Sequence, residues 1–312
     1  MALNPHVQTS YSNHVLSYIE KLFLALIKKE LLLAPLGMAK LLGKRQGNTI
    51  RFIRWDSPSG SVSTLSDGVT PDGISLTTAV VNATLSQYGR FAAVSDRLQD
   101  VAINDTLKDM TGVLAYDAAL SIDQLVRNEL DANGTQNYAD DASNSSIANV
   151  ETNTDKIRST ELKILLKNFR VADVKPFDNG LYRGVIHPLM EFDLLSETTT
   201  GTFMELVSKT SADPTRKGLI GTAYGIELMR SSNIRADVTS TNTYGNIFVG
   251  KDAFGTISID SLSPEMIIKA LGSAGTEDAL NQRATVGYKF WYVAKVLRTV
   301  AVQTLWAYSV GV

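Results

Sequence analysis

The chain contains no cysteine and only three histidines among its 312 residues. The absence of cysteine excludes disulfides, thiolate metal sites and cysteine nucleophiles, and it is typical of proteins that fold in a reducing cytoplasm. The formal net charge is -2, whereas dedicated nucleic-acid-binding domains are strongly basic. Tight binding of nucleic acid is therefore not expected, although weak non-specific contact with DNA is compatible with this charge.

Long uncharged hydrophobic runs are also missing. The most apolar early segment, residues 15–33, is interrupted by five charged residues, whereas a membrane span needs about 20 nearly uncharged ones. Apolar residues recur there at helical spacing, and Pro35 and Gly37 end the pattern, so we predict an amphipathic helix and no membrane partner. Two placements remain open, on the chain's own core or as an arm on a neighbouring molecule.

The patterns that support catalysis are incomplete. Gly37–Arg45 has five residues between its glycines, and Arg45 stands where a phosphate loop needs Ser or Thr. His187 and Glu191 have helical spacing, but Pro188 lies at the junction and no third metal ligand is near. No Gly-x-Ser-x-Gly motif supplies a nucleophile. We therefore expect no catalytic residue, cofactor or metal, and predict a structural protein; an α/β hydrolase or ligand-binding protein is the rival of a different class.

A long hairpin is predicted in the first third of the chain. Residues 48–55 are rich in β-branched and aromatic side chains, as strands are. A stretch dense in Gly, Pro and Asp follows, and residues 74–95 are again extended in character. An isolated two-stranded hairpin is only marginally stable, so this one needs a partner surface.

The rest of the sequence indicates a mixed α+β fold. We predict a long helix over 106–130, ended by Asn133-Gly134, and then a flexible acidic loop over 131–155. A compact α/β lobe over 158–274 should contain helices near 159–169 and 189–195 and a buried strand at 181–186. Residues 286–307 are almost all strand formers and are interpreted as a closing pair of strands.

Charge is distributed unevenly. Five basic residues and no acid occur between positions 40 and 54, and five acids and no base occur between 131 and 155. These segments are either two solvated faces or complementary surfaces of neighbouring subunits, where charge sets register more than affinity. The candidates for contact between subunits are Arg51, Arg54, Trp55, Asp67, Pro71, Asp131, Asp140 and Asp141.

Four short motifs occur in a recognisable order: Gly47-Asn-Thr-Ile-Arg-Phe, Leu65-Ser-Asp-Gly-Val-Thr-Pro71, Ser86-Gln-Tyr-Gly-Arg90 and Lys289-Phe-Trp-Tyr292. Their order and spacing resemble the major capsid proteins of tailed bacteriophages with the Hong Kong 97-type fold, most closely the N-four-like podophage branch. Asp67 stands where glutamate is commoner in that family, which keeps the charge. The resemblance covers nearly the whole chain.

The resemblance implies five parts: an N-terminal arm (1–45), an extended loop (46–92), a peripheral domain with a spine helix (93–157), an axial domain (158–274) and closing strands of the peripheral domain (275–312). It implies an icosahedral head shell around double-stranded DNA, built from hexamers and pentamers in the host cytoplasm and located in the virion. Scaffolding, portal and decoration proteins are further expected partners, with weak DNA contact on the inner face. An encapsulin-like non-viral shell is the alternative.

Overall fold

In the computed structural model of the chain, the structure describes residues 23, 26–27, 31–43, 47–55, 60, 62, 64–65, 67–70, 73–97, 106–140, 144–150, 154–197, 219–236, 242–259, 264–269, 271–273 and 280–310. Within these ranges the α-helices are α1 (Thr106–Asn133), α2 (Ser159–Val171) and α3 (Pro188–Leu195). The strands are β1 (Met38–Leu42), β2 (Thr49–Trp55), β3 (Thr78–Thr84), β4 (Ser86–Ser95), β5 (Thr135–Tyr138), β6 (Tyr182–Ile186), β7 (Leu219–Ala223), β8 (Ile226–Arg230), β9 (Arg235–Ala236), β10 (Thr243–Val249), β11 (Phe254–Ile259), β12 (Glu265–Lys269), β13 (Arg283–Val296) and β14 (Val302–Tyr308).

The first large sheet has five strands and is built around β13. One edge of β13 pairs with β4, and the other edge pairs with β12 and then with β11, all antiparallel. Strand β1 extends the sheet by pairing in parallel with β11. Side chains of β13 alternate between two faces, as a strand requires. Its buried face, which includes Val286 and Phe290, packs into the same core as Leu114, Ala118 and Ile122 of α1.

The second large sheet has the strand order β5-β14-β10-β6-β8-β7, with β9 beside β10. Pairing is mixed, because β5–β14 and β6–β8 are parallel while β10 is antiparallel to both of its main neighbours. Helix α2 covers this sheet, and the ring of Phe169 stacks on Tyr182 with centroids 4.7 Å apart. The carboxylate of Glu161 accepts a hydrogen bond from the backbone N–H of Arg158 and so fixes the start of α2.

The end of the chain corrects one prediction. Residues 286–307 do form two strands, but β13 and β14 lie in different sheets and do not pair with each other. The short 3-10 turn Thr299–Ala301 separates them, and β14 instead pairs with β10 along its whole length. Strands β11 and β12 belong to the sheet of β13, so the two sheets do not divide at residue 274. The domain boundary expected there stays a prediction.

The acidic segment 131–155 is a second correction, because most of its described part is built into the fold. Helix α1 continues to Asn133, and β5 follows directly and pairs with β14. The backbone N–H of Ala139 donates to the carbonyl of Trp306 at 2.8 Å. Asp131 and Asp155 are buried. The flexible-loop prediction is therefore wrong for residues 131–140, 144–150 and 154–155.

The predicted N-terminal helix falls mostly outside the described residues. Phe23, Leu26 and Ile27 are helical, and Phe23 and Ile27 are buried in the main core of their own chain. The ring of Phe23 lies 6.3 Å from that of Tyr288 in β13. Of the two placements left open by the sequence, the described residues of this helix therefore support packing on the chain's own core. No helix in the described ranges is long and apolar enough to cross a membrane.

Candidate assembly surface

The hairpin predicted from the sequence is present as the two-stranded sheet β2–β3. The strands are antiparallel and in register from Thr49 opposite Thr84 to Trp55 opposite Thr78. At its base the backbone N–H of Leu85 donates to the carbonyl of Asn48 at 2.8 Å. Neither edge of this ribbon pairs with another described strand, so it depends on contacts made by its faces.

One face of the hairpin packs on its own subunit. Phe52 is 5% exposed and lies with Ala83, Leu85, Leu42 of β1 and Ile257 of β11 in a small group of buried side chains. We call these five residues the hairpin cluster. The cluster is separate from the main core that joins α1 to both large sheets. The hairpin therefore has an anchor of its own.

The opposite face of the hairpin is apolar and uncovered. Ile53, Trp55 and Val80 are 63%, 65% and 51% exposed, and Ile53 stands directly opposite Val80 in the register. Arg51 and Asn82 form the next pair on the same face. A continuous exposed patch of large apolar side chains is unusual on a monomer and typically marks a protein interface. We call the apolar residues of this face, Ile53, Trp55 and Val80, the hairpin patch.

The predicted contact residues are either exposed, outside the described residues or, in the case of Asp131, buried. Arg51, Arg54, Trp55 and Asp67 are exposed on the hairpin or in its turn region, and Asp140 is exposed beyond β5. Pro71 and Asp141 lie outside the described residues, as do Lys44 and Arg45 of the basic segment.

Asp131 does not fit the predicted role. It is 5% exposed, and its carboxylate forms an ion pair with Arg235 of the same chain. The guanidinium of Arg235 also lies over the ring of Trp306, with 5.7 Å between its central carbon and the ring centroid. The side-chain amide of Gln136 donates to the backbone carbonyl of Asp131 at 2.6 Å. A buried carboxylate paired in this way contributes to the fold of its own subunit, so Asp131 is withdrawn as a contact residue.

Sequence reasoning missed the residues that anchor the hairpin. Phe52 lies against Gly255 in β11, and the ammonium of Lys40 lies 4.6 Å from the centroid of the Phe52 ring. A glycine inside a strand is a sign of close approach by another group, and Gly255 inside the strand-forming run Phe254–Ile259 carries that signal. Which group approaches it depends on the folding of a segment 200 residues earlier.

A second missed cluster joins the five-stranded sheet to the long helix. Asp117 of α1 pairs with Arg90 of β4 at 2.9 Å and accepts a hydrogen bond of 2.5 Å from the hydroxyl of Tyr288 in β13. Burial, followed by the bond to Asp117, raises the pKa of Tyr288. The cluster fastens β4, which follows the hairpin, to the body of the subunit.

His187 has a local structural role. Its Nδ1 accepts a hydrogen bond from the backbone N–H of Leu189 and caps α3, and its ring stacks on Tyr244 with centroids 4.1 Å apart. Glu191 faces Arg230 at 3.8 Å. No group of three His, Asp or Glu residues suited to a metal ion occurs in the part of the chain that the structure describes.

Comparison with known proteins identifies a family. A family model described as phage capsid protein matches residues 78–305, almost three quarters of the chain. No curated protein is similar enough in sequence to count as a match.

Solved structures resemble the chain over most of its length. The capsid of Ralstonia phage GP4 has a TM-score of 0.68 and 14% identity, covering 88% of this chain and 87% of that one. The capsid of cyanophage P-SCSP1u has a TM-score of 0.61 at 14% identity, with the same coverages. A virus-like particle from Pyrococcus furiosus gives 0.55 at 12% identity, covering 93% and 99%. At such identities the likeness establishes the fold.

Proposed function

The chain belongs to the phage capsid protein family, and we propose that its copies associate through the hairpin patch, which rests on a neighbouring subunit. The protein is the major capsid protein of a tailed phage, a structural component and not an enzyme. It has the Hong Kong 97-type fold that its sequence motifs predict. An encapsulin-like compartment is not favoured, because the matching family model describes phage capsids.

The observation that carries the proposal is the exposure of the hairpin patch. Ile53, Trp55 and Val80 lie side by side on a ribbon whose other face is already anchored. Burying a large apolar side chain contributes about 1.5–3 kcal/mol, and tryptophan is prominent among residues that dominate binding energy. A second copy of the chain supplies the cover, because a shell repeats each contact around closed symmetry.

We also propose which helices and sheets form the two domains of the subunit. Helix α1 and the five-stranded sheet would form the peripheral domain, and the second sheet with α2 and α3 would form the axial domain around hexamer and pentamer axes. Packaged DNA would meet the inner face only weakly, since the net charge is -2. Assembly in the host cytoplasm, scaffolding, portal and decoration partners, and the N-four-like branch stay predictions.

The test replaces the hairpin patch without touching the anchor. We expect Trp55→Ser with Ile53→Ser to leave the subunit folded but to prevent formation of megadalton particles, measured by light scattering and negative-stain microscopy under conditions in which the wild type assembles. Trp55→Phe is the matched control, since it keeps an apolar aromatic side chain and should assemble. Normal particles from the double serine variant would overturn the proposal.

A further inference from the structure

The ring of Phe52, in the middle of β2, fills a socket that exists because Gly255 has no side chain. A methyl group built on Gly255 would lie 2.6 Å from Cε1 of Phe52 and closer still to Cζ, which is well inside van der Waals contact. Gly255 is buried and is the second residue of β11, within its regular antiparallel pairing with β13. The ring of Phe52 therefore occupies the space that any other residue at position 255 would fill.

The socket lies on the face of the five-stranded sheet opposite the main core. Neighbouring residues of a strand point to opposite faces, and β11 follows this rule: Phe254 is buried in the main core, while Ile257 belongs to the hairpin cluster. The hairpin cluster contains only five buried side chains. A change confined to it thus alters the seating of the hairpin without opening the core that holds the subunit together.

Strand β1 forms the second wall of the socket. Met38 stands beside Gly255 in the parallel pairing of β1 with β11. The ammonium of Lys40 lies over the Phe52 ring, and Leu42 is buried in the hairpin cluster. Strand β1 directly follows residues 31–37, which lead in from the N-terminal segment. The hairpin and β1 consequently share one packing unit.

We propose that Phe52 in the Gly255 socket is the positioning element that sets the direction of the hairpin and couples it to β1. A two-stranded ribbon with both edges unpaired has no ladder to orient it, so the packing of Phe52 determines where the hairpin patch points. Small changes in that direction alter the geometry of every repeated contact in a shell. This inference rests on the proposed role of the hairpin in assembly.

The test measures the direction of the hairpin in the unassembled subunit. Because the chain has no cysteine, Thr78→Cys on the hairpin and Ala132→Cys near the end of α1 give two unique spin-label positions, both exposed. We expect Gly255→Ala to shift or broaden the distance distribution between the labels. Adding Phe52→Leu should restore a narrow distribution, because the smaller side chain leaves room for the new methyl group.

The matched control is Gly184→Ala in β6. A methyl group there would lie 2.6 Å from Cδ1 of Phe248, a clash with a phenylalanine ring at a similar distance, but inside the second sheet. It should lower the melting temperature and leave the distance distribution unchanged. A distribution unaffected by Gly255→Ala, or one that Phe52→Leu does not restore, would overturn the proposal.

Assembly of the same variants separates this inference from the proposed function. We expect particle yield from Gly255→Ala to fall by about tenfold and to recover in the double variant, since multivalent contacts amplify a small loss at each site. If the hairpin turns in Gly255→Ala but particles form normally, the anchor stands and the role of the hairpin in assembly fails. If the hairpin does not turn, the anchor fails whatever the particles show.

Discussion

At the scale of single residues, His187 is placed where its protonation state affects folding. Its Nδ1 accepts the hydrogen bond that caps α3, and its ring is half buried against Tyr244. Burial lowers the pKa of His187. The fold therefore uses the neutral imidazole, because a protonated Nδ1 cannot accept the bond from Leu189.

This arrangement predicts a pH dependence of stability. An unfolded histidine has a pKa of about 6.5, so at lower pH the unfolded chain binds a proton that the folded chain does not. We expect the free energy of unfolding of the unassembled subunit to fall as pH drops from about 7 towards 5. His187→Asn should reduce this dependence, because asparagine caps a helix and does not titrate. Denaturant unfolding at both pH values measures it; equal pH dependence in the two proteins would contradict the prediction.

At the scale of elements, Asp123 fastens the segment before β1 to α1. Its carboxylate is buried and accepts hydrogen bonds from three successive backbone N–H groups, those of Leu32 at 2.7 Å, Leu33 at 3.2 Å and Ala34 at 3.1 Å. Burial raises the pKa of Asp123, and the three backbone donors oppose that rise. The Asp123 carboxylate thus satisfies three backbone N–H groups of the turn that precedes β1.

Replacing this carboxylate should destabilise the subunit. Asp123→Asn keeps the shape but turns an acceptor oxygen into an amide that faces backbone donors. We expect the free energy of unfolding to fall by about 2–3 kcal/mol, the usual cost of leaving buried donors without their charged acceptor. Asp109→Asn, at an exposed acid on the same helix, is the control and should change stability little. Equal losses in the two variants, measured by denaturant unfolding, would count against the role of Asp123.

The elements that the sequence predicts well are those specified locally. The β-branched run around Ile50–Ile53 and the turn-forming residues after it predict the hairpin, and helical periodicity from Leu107 to Leu125 predicts α1. Asn133-Gly134 also marks the end of α1 as observed, where the N–H of Gly134 donates to the carbonyl of Leu130 at 2.8 Å. In each case a few neighbouring residues contain the whole signal.

Partners that come from distant parts of the chain escape local patterns. Residues 135–138 are polar and were expected to be loop, but β14 pairs with them from more than 160 positions later. The polar segment around Asp131 suggests an exposed carboxylate. The carboxylate is buried instead, because Arg235 supplies the opposite charge. The socket of Phe52 is likewise completed by Gly255 and Lys40. The sequence alone indicates Trp55 of the hairpin patch as a contact residue, but it does not indicate Phe52 and Gly255, which hold the hairpin in place.

At the scale of the whole molecule, the structure limits which charges could pair between the basic segment 40–54 of one subunit and the acidic segment 131–155 of another. Two of the five acids between 131 and 155 are buried in their own subunit, and Lys40 lies over Phe52. Arg51 and Arg54 remain exposed on the hairpin, and Asp140 remains exposed beyond β5. Exposed ion pairs contribute only about 0–1 kcal/mol each. In the contact that we propose, the hairpin patch would supply most of the affinity, and charge would select register or partner.

Reversing the hairpin charge tests what remains of that hypothesis. Arg51→Glu with Arg54→Glu should leave the free energy of unfolding of the subunit nearly unchanged, because both side chains are exposed, but should slow or misdirect assembly. Arg51→Lys with Arg54→Lys keeps the charge and should assemble normally. The defect should shrink at high salt, since the screening length falls from about 10 Å at 0.1 M to about 3 Å at 1 M. Light scattering during assembly at two salt concentrations measures both effects. Normal particles from the glutamate variant would show that the arginines only solvate the hairpin, and a defect insensitive to salt would point to lost packing by their side chains.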